Sequence, residues 1–164
     1  MSIQLLTIMR LALLLAVANG APVIATRIFG QRFSCPLDGG VEFVDRKPLL
    51  GKSKTVRGIV VSILLSALAA PLLGLGWKIG VVVGSAAMAG DLVSSFVKRR
   101  LNLTPSSRAT GLDQIPESLF PLLACRGALA LSILDIGFGV AIFFVGEVVL
   151  SRLLYKAHIR DRPY

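Results

Sequence analysis

Asp91, Ser94, Ser95 and Lys98 fall at i, i+3, i+4 and i+7 in GDLVSSFVKRR (residues 90–100), so on a helix they share one face. Gly84 and Ala87 continue that face upstream with small residues. The segment closes an otherwise apolar stretch. A carboxylate in such a stretch is costly unless it has a partner or a water-filled cavity, which makes it a functional-site hypothesis. The face offers an acid for a metal ion, then hydroxyls, then cations suited to phosphate. That combination fits a phosphorylated substrate carried in a membrane.

The elements that must hold this face are apolar helices. The chain has 164 residues, 54% hydrophobic and only 16% charged, too much apolar surface for a soluble domain of this size. Its mean hydropathy is +0.76. Stretches long enough to cross a bilayer are predicted at about 3–24, 58–75, 77–97, 117–133 and 137–155. The fold class expected is an all-α integral membrane protein with about five transmembrane helices, forming one domain over residues 1–164. The first twenty residues have the apolar run of a signal peptide. They lack a basic start, and Arg10 interrupts them, so a retained first helix is expected. Gly80 and Gly84 have the spacing of helix-packing positions.

Charge gives the orientation. Of 18 bases, 15 lie in the polar segments 27–57 and 98–116 or near the C-terminus. The excess of Lys and Arg predicts that both polar loops and the C-terminus are cytoplasmic and the N-terminus is outside. The net charge of +9 then serves anionic headgroups and phosphorylated ligands. Nucleic acid is not expected as a partner, because the basic clusters lack interleaved aromatic residues. Cys35 and Cys125 are too few and too far apart for a metal or disulfide framework.

Gly51-Lys52-Ser53 mimics the end of a P-loop, but Arg46 stands where the motif needs its first glycine. What remains is a cluster of Lys52, Lys54 and Arg57 with Ser53 and Thr55 between them, at the mouth of the second span. Such a cluster binds a triphosphate through charge-assisted hydrogen bonds, or simply rests on anionic lipid. In GLDQIPESL, Asp113 and Glu117 are four apart and can share a helical face. Asp113 is either a helix cap or, with Asp91, half of a magnesium site, since magnesium takes one or two carboxylates plus substrate phosphate oxygens. Asp135 is expected near the outer boundary, where an acid costs little, and Glu147 deeper, without a motif. His158, the only histidine, is expected to be solvated, with no zinc or triad spacing around it.

Five segments in order are shared with a known family: ANGAPV (18–23), PLDGG (36–40), GKSKTVRG (51–58), GDLVSSFVKRRL (90–101) and GLDQ (111–114). Together they resemble the CDP-archaeol synthase family, membrane enzymes that transfer a cytidylyl group from CTP to a lipid phosphate. The resemblance covers nearly the whole chain. It implies Mg²⁺ as cofactor, CTP and a lipid phosphate as substrates, and an active site on the cytoplasmic side of the cell membrane. Mapped onto this chain, Asp91 and Asp113 are expected to bind the metal, and Asp91, Lys98 and Asp113 to act in catalysis. Lys52, Lys54, Thr55, Arg57, Ser95 and Arg99 are expected to bind nucleotide and phosphate, supported by Asn19 and Asp38. The attacking group is already an anionic phosphate, so no histidine base is needed. The rival class is a non-catalytic transporter or scaffold that binds anionic lipid, which would tolerate loss of both aspartates.

Overall fold

The structure is a computed structural model that describes residues 3–103 and 111–156. Among these residues are five helices: α1 (Leu5–Phe29), α2 (Val56–Leu72), α3 (Trp77–Arg100), α4 (Gln114–Ala124) and α5 (Ile133–Lys156). Each occupies one of the apolar runs read from the sequence. By length and composition α1, α3 and residues 133–150 of α5 can each cross a membrane, while α2 is apolar but has 17 residues. Outward-facing Leu64, Leu68 and Leu72 leave α2 with an apolar exterior suited to lipid rather than water. The chain is a multi-pass membrane protein.

The helices share one buried core, centred on Leu11, Leu14, Leu15, Val83 and Leu122. Small residues set how closely they approach. A Cβ at Gly80 would lie 2.3 Å from the Ser66 carbonyl oxygen and 2.6 Å from the Cα of Ala67. Helices α2 and α3 therefore meet backbone to backbone at that point. Helix α1 joins this pair through Ser62, whose hydroxyl donates to the Ala18 carbonyl at 2.8 Å. The basic residues Lys98, Arg99 and Arg100 form the last turn of α3, where they complement its C-terminal partial charge.

Two expectations are corrected. The fourth helix, expected over about 117–133, is only α4, Gln114–Ala124. At about 1.5 Å per residue its 11 residues rise about 16 Å, short of a hydrocarbon core of about 30 Å. Its start explains the shortness. Pro116 packs on Gly90, ten residues before the end of α3, so α4 begins about 15 Å inside the basic end of the bundle. Turn residues then carry the chain to Ser132 and the start of α5.

The second correction concerns Asp135, expected where an acid costs little: it stands in the first turn of α5 but is only 2% exposed. It forms a reciprocal cap with Ser132: Asp135 N–H donates to the Ser132 hydroxyl at 3.1 Å, and Ser132 N–H donates back to the carboxylate at 2.9 Å. Its other oxygen accepts from Gln4 N–H at 2.9 Å. This bond fastens the starts of α1 and α5 together, so the two helices run side by side in the same direction.

Gly80→Val would force α2 and α3 apart. We expect it to lower the thermal unfolding midpoint in detergent, with a cost of about 1–3 kcal/mol for overpacking, whereas Gly20→Ala, where a Cβ meets nothing within 4 Å, should leave the midpoint unchanged.

Candidate active site

The loop between α1 and α2 is held in shape by its own polar groups. Asp38 accepts hydrogen bonds from Gly40 N–H at 3.0 Å, Leu50 N–H at 2.9 Å and Gly51 N–H at 3.0 Å. Burial pushes the Asp38 carboxyl up, but these amides outweigh it and hold the group below its ordinary value. Next to it, Leu37 N–H donates to the Lys54 carbonyl at 2.7 Å, which fixes the backbone that carries Lys54.

The far side of the loop is pinned to the end of α3 by Arg100. Its guanidinium lies 4.9 Å from the Phe43 ring centre and 4.8 Å from that of Phe96. The same group donates to Asp45 Oδ1 at 2.7 Å and to the Pro48 carbonyl at 2.6 Å. Lys47 returns the contact by donating to the Arg100 carbonyl at 3.2 Å. Arg100 is thus a loop anchor.

Between these fixed points, three acids and two lysines converge where the loop, α3 and α4 meet. Lys54 Nζ donates to both oxygens of Asp91 at 2.6 Å. Lys98 Nζ lies 2.8 Å from Asp113 Oδ1. Glu117, 7% exposed, is within electrostatic range of Asp91, Asp113 and Glu147. Asp113 occupies the N-cap position of α4, yet its side chain makes no capping bond. Its carboxylate is given to Lys98 instead.

Gly90 and Ser94 make this convergence possible. A Cβ at Gly90 would lie 2.3 Å from the Pro116 carbonyl oxygen and 2.8 Å from Glu117 N. Only glycine lets the first turn of α4 sit against α3 next to Asp91. One turn on, the Ser94 hydroxyl contacts the carbonyls of Gly90 and Leu112, both at 2.9 Å, which holds the approach to α4.

The other residues marked in the sequence are distributed more widely. Ser95 and Arg99 are buried on the same stretch of α3 as Ser94 and Lys98. Thr55 is the N-cap of α2, its hydroxyl accepting from Gly58 N–H at 3.2 Å. Arg57 donates to the Gly30 carbonyl at 3.0 Å and the Thr26 hydroxyl at 3.2 Å, tying α2 to the end of α1. Lys52 is exposed in the turn before Lys54. Asn19 lies on α1, lining a groove toward α5. Arg108, His158, Arg160 and Arg162 lie outside the described residues. Glu117 was not among the predicted site residues; its signal was the four-residue spacing from Asp113.

Gly90→Ala should push the start of α4 off α3 and part Glu117 and Asp113 from Asp91. We expect a large loss of catalytic turnover with the protein still inserted and monodisperse, read by activity beside size-exclusion elution. Ordinary turnover in this variant would show that the close approach is dispensable.

A family model described as "CarS-like: CDP-archaeol synthase" matches residues 73–164. The CDP-archaeol synthase of Sulfurisphaera tokodaii is 33% identical over 155 residues, covering 90% of this chain and 89% of that protein. That of Pyrobaculum calidifontis is 36% identical over 153 residues, covering 90% and 91%. A solved structure described as an intramembrane enzyme for archaeal membrane lipids biosynthesis superposes with a TM-score of 0.73 at 28% identity, over 86% of this chain and 90% of that one. On the family model and on relatives parallel to it over nine-tenths of its length, the chain belongs to the CDP-archaeol synthase family.

Proposed function

We propose that this protein transfers the cytidylyl group of CTP to an archaeal-type lipid phosphate at the Lys54–Asp91 and Lys98–Asp113 cluster. An oxygen of the lipid phosphate attacks the α-phosphorus of CTP. The new bond joins the two phosphates, the bond between the α-phosphorus and its bridging oxygen breaks, and pyrophosphate leaves with that electron pair. The product is a CDP-lipid. Family membership supports the reaction, and one observation carries the site: two acids and two lysines, brought from three separate segments, are paired at one place in an apolar bundle.

The chain's groups suit the charge that this reaction moves. Lys54 and Lys98 are fixed cations for the triphosphate and for the charge that builds on departing pyrophosphate. The nucleophile arrives ionised, so proton removal is not required. Asp91 and Asp113 are hard oxygen donors with the chemistry Mg²⁺ takes, one or two carboxylates with the rest supplied by phosphate oxygens and water. Among the described residues no group of three or more His, Cys, Asp or Glu is arranged to hold a metal, and Asp91 and Asp113 are the two carboxylates that would hold it. When bound, the ion orients the phosphates and neutralises their charge.

In the topology we infer, α1, α2, α3, the segment 114–132 and α5 are five crossings, with the N-terminus outside and the cluster toward the cytoplasm. The distribution of bases supports this orientation.

Purified protein should convert CTP and an isoprenoid ether lipid phosphate to CDP-lipid in the presence of Mg²⁺, and a chelator should abolish the reaction. Asp91→Asn and Asp113→Asn should each lower turnover by about a hundredfold or more, the scale of losing a group that organises transition-state charge. Unchanged turnover in both variants would remove the metal assignment. No CDP-lipid from any lipid phosphate would remove the enzyme reading. Orientation has a natural probe, because Cys35 is exposed and Cys125 is buried. A membrane-impermeant maleimide should label Cys35 in inverted vesicles but not in intact cells; labelling in intact cells would reverse the topology.

A further inference from the structure

The groove between α1 and α5 has no part in the cluster described above. It encloses about 440 Å³, within the range of about 300–1,000 Å³ typical of small-ligand sites. Its walls are apolar, with Leu13 and Ile24 on one side and Phe143 and Leu150 on the other. Small residues deepen it: Ala12, Ala16 and Gly20 recur every four positions along α1, and Gly146 lies in α5. Because Asp135 fastens the starts of these parallel helices, the groove runs along both of them toward the basic end.

Polar groups occur only at that end. They are Asn19, Arg27 and Glu147. Both amide atoms of Asn19 are buried, with no hydrogen-bond partner among the described residues. An amide left so costs about 1–3 kcal/mol, which a ligand oxygen accepting from its N–H would recover. Glu147 lies within electrostatic range of Glu117, which is in turn within range of Asp91. The polar end of the groove therefore adjoins the wall of the acid–lysine cluster.

We infer that this groove seats the lipid phosphate acceptor, its hydrocarbon chain lying along the small-residue trough and its phosphate turned toward Asn19 and Arg27. The inference rests on the cytidylyl-transfer reading for the identity of the acceptor. The polar groups at one end, the unpartnered Asn19 amide first, select the occupant. A phosphate monoester matches an amide donor and a guanidinium, and the apolar walls match its chain. A neutral bilayer lipid would satisfy only the walls. Entry from the side is consistent with a substrate that never leaves the membrane.

Gly146→Leu tests the trough. A Cβ at Gly146 meets nothing within 4 Å, and leucine is the better helix former, so the variant should fold. Wild type and variant are compared on a long isoprenoid lipid phosphate and on a short-chain acceptor with the same glycerol phosphate head. The ratio of kcat/KM for the long over the short acceptor should fall about tenfold or more, the scale that misplaced methylenes carry in an apolar site. An unchanged ratio, or equal loss on both acceptors, would overturn the assignment. A second measurement needs no turnover: a photoactivatable lipid phosphate should cross-link to residues 9–27 and 142–150. Unlabelled lipid phosphate should compete and phosphatidylcholine should not. Equal competition by both would mean ordinary bilayer lipid only and would also overturn the inference. Failure of wild type to make CDP-lipid from any acceptor would instead count against the proposed reaction, leaving the cross-linking result to judge the groove.

Discussion

Charge inside an apolar bundle must be paired, and the design of this protein follows from how that pairing is met. Removing a carboxylate or an ammonium group from water costs several kcal/mol, recovered only by close and well-hydrogen-bonded partners. Here the partners come from elements far apart in sequence. Lys54 reaches Asp91 from the loop before α2, and Lys98 reaches Asp113 across to the start of α4. Neither pair can form unless the loop is folded and α4 is seated. The electrostatics of the site and its packing are thus one requirement met twice.

The seating relies on small residues and the folding on buried acceptors. Gly80 lets α2 approach α3, and Gly90 lets α4 do so on the same helix. Helix α3 is thereby the post against which the other parts are set. The loop is held at two places, by the amides around Asp38 and by Arg100 packed against two aromatic rings. Lys54 follows these anchors and its carbonyl accepts from Leu37 N–H, so its short bonds to Asp91 are made from a braced backbone and not from a loose tether.

Much of this was legible in the sequence because it depends on local spacing. The stripe of Asp91, Ser94, Ser95 and Lys98 needs only helical geometry, and the apolar runs need only length. Roles set by the path of the chain were not legible. That Thr55 caps α2 and Arg57 holds backbone at the end of α1 could not be read from the residues. Which carbonyls lie within reach of a guanidinium is decided by the loop, and no periodicity records that. The length of α4 was missed for a related reason: it starts deep in the bundle, so an apolar run that looks like a full span contains only a short helix. Asp135 was hidden by its partners, since one carboxylate oxygen bonds Ser132 and the other Gln4, 131 residues away.

The Lys54–Asp91 pair also has a thermodynamic corollary. A triphosphate that recruits the Lys54 ammonium withdraws it from Asp91 and uncovers a carboxylate whose preferred replacement is another positive charge. An anion and a cation binding at this place therefore favour one another, each lowering the cost of admitting the other. Linkage makes that coupling reciprocal: nucleotide tightens the hold on cation by the same factor that cation tightens the hold on nucleotide. On the proposed reaction the lysine is a counterion on loan, and the site is suited to taking up nucleotide and cation as a set.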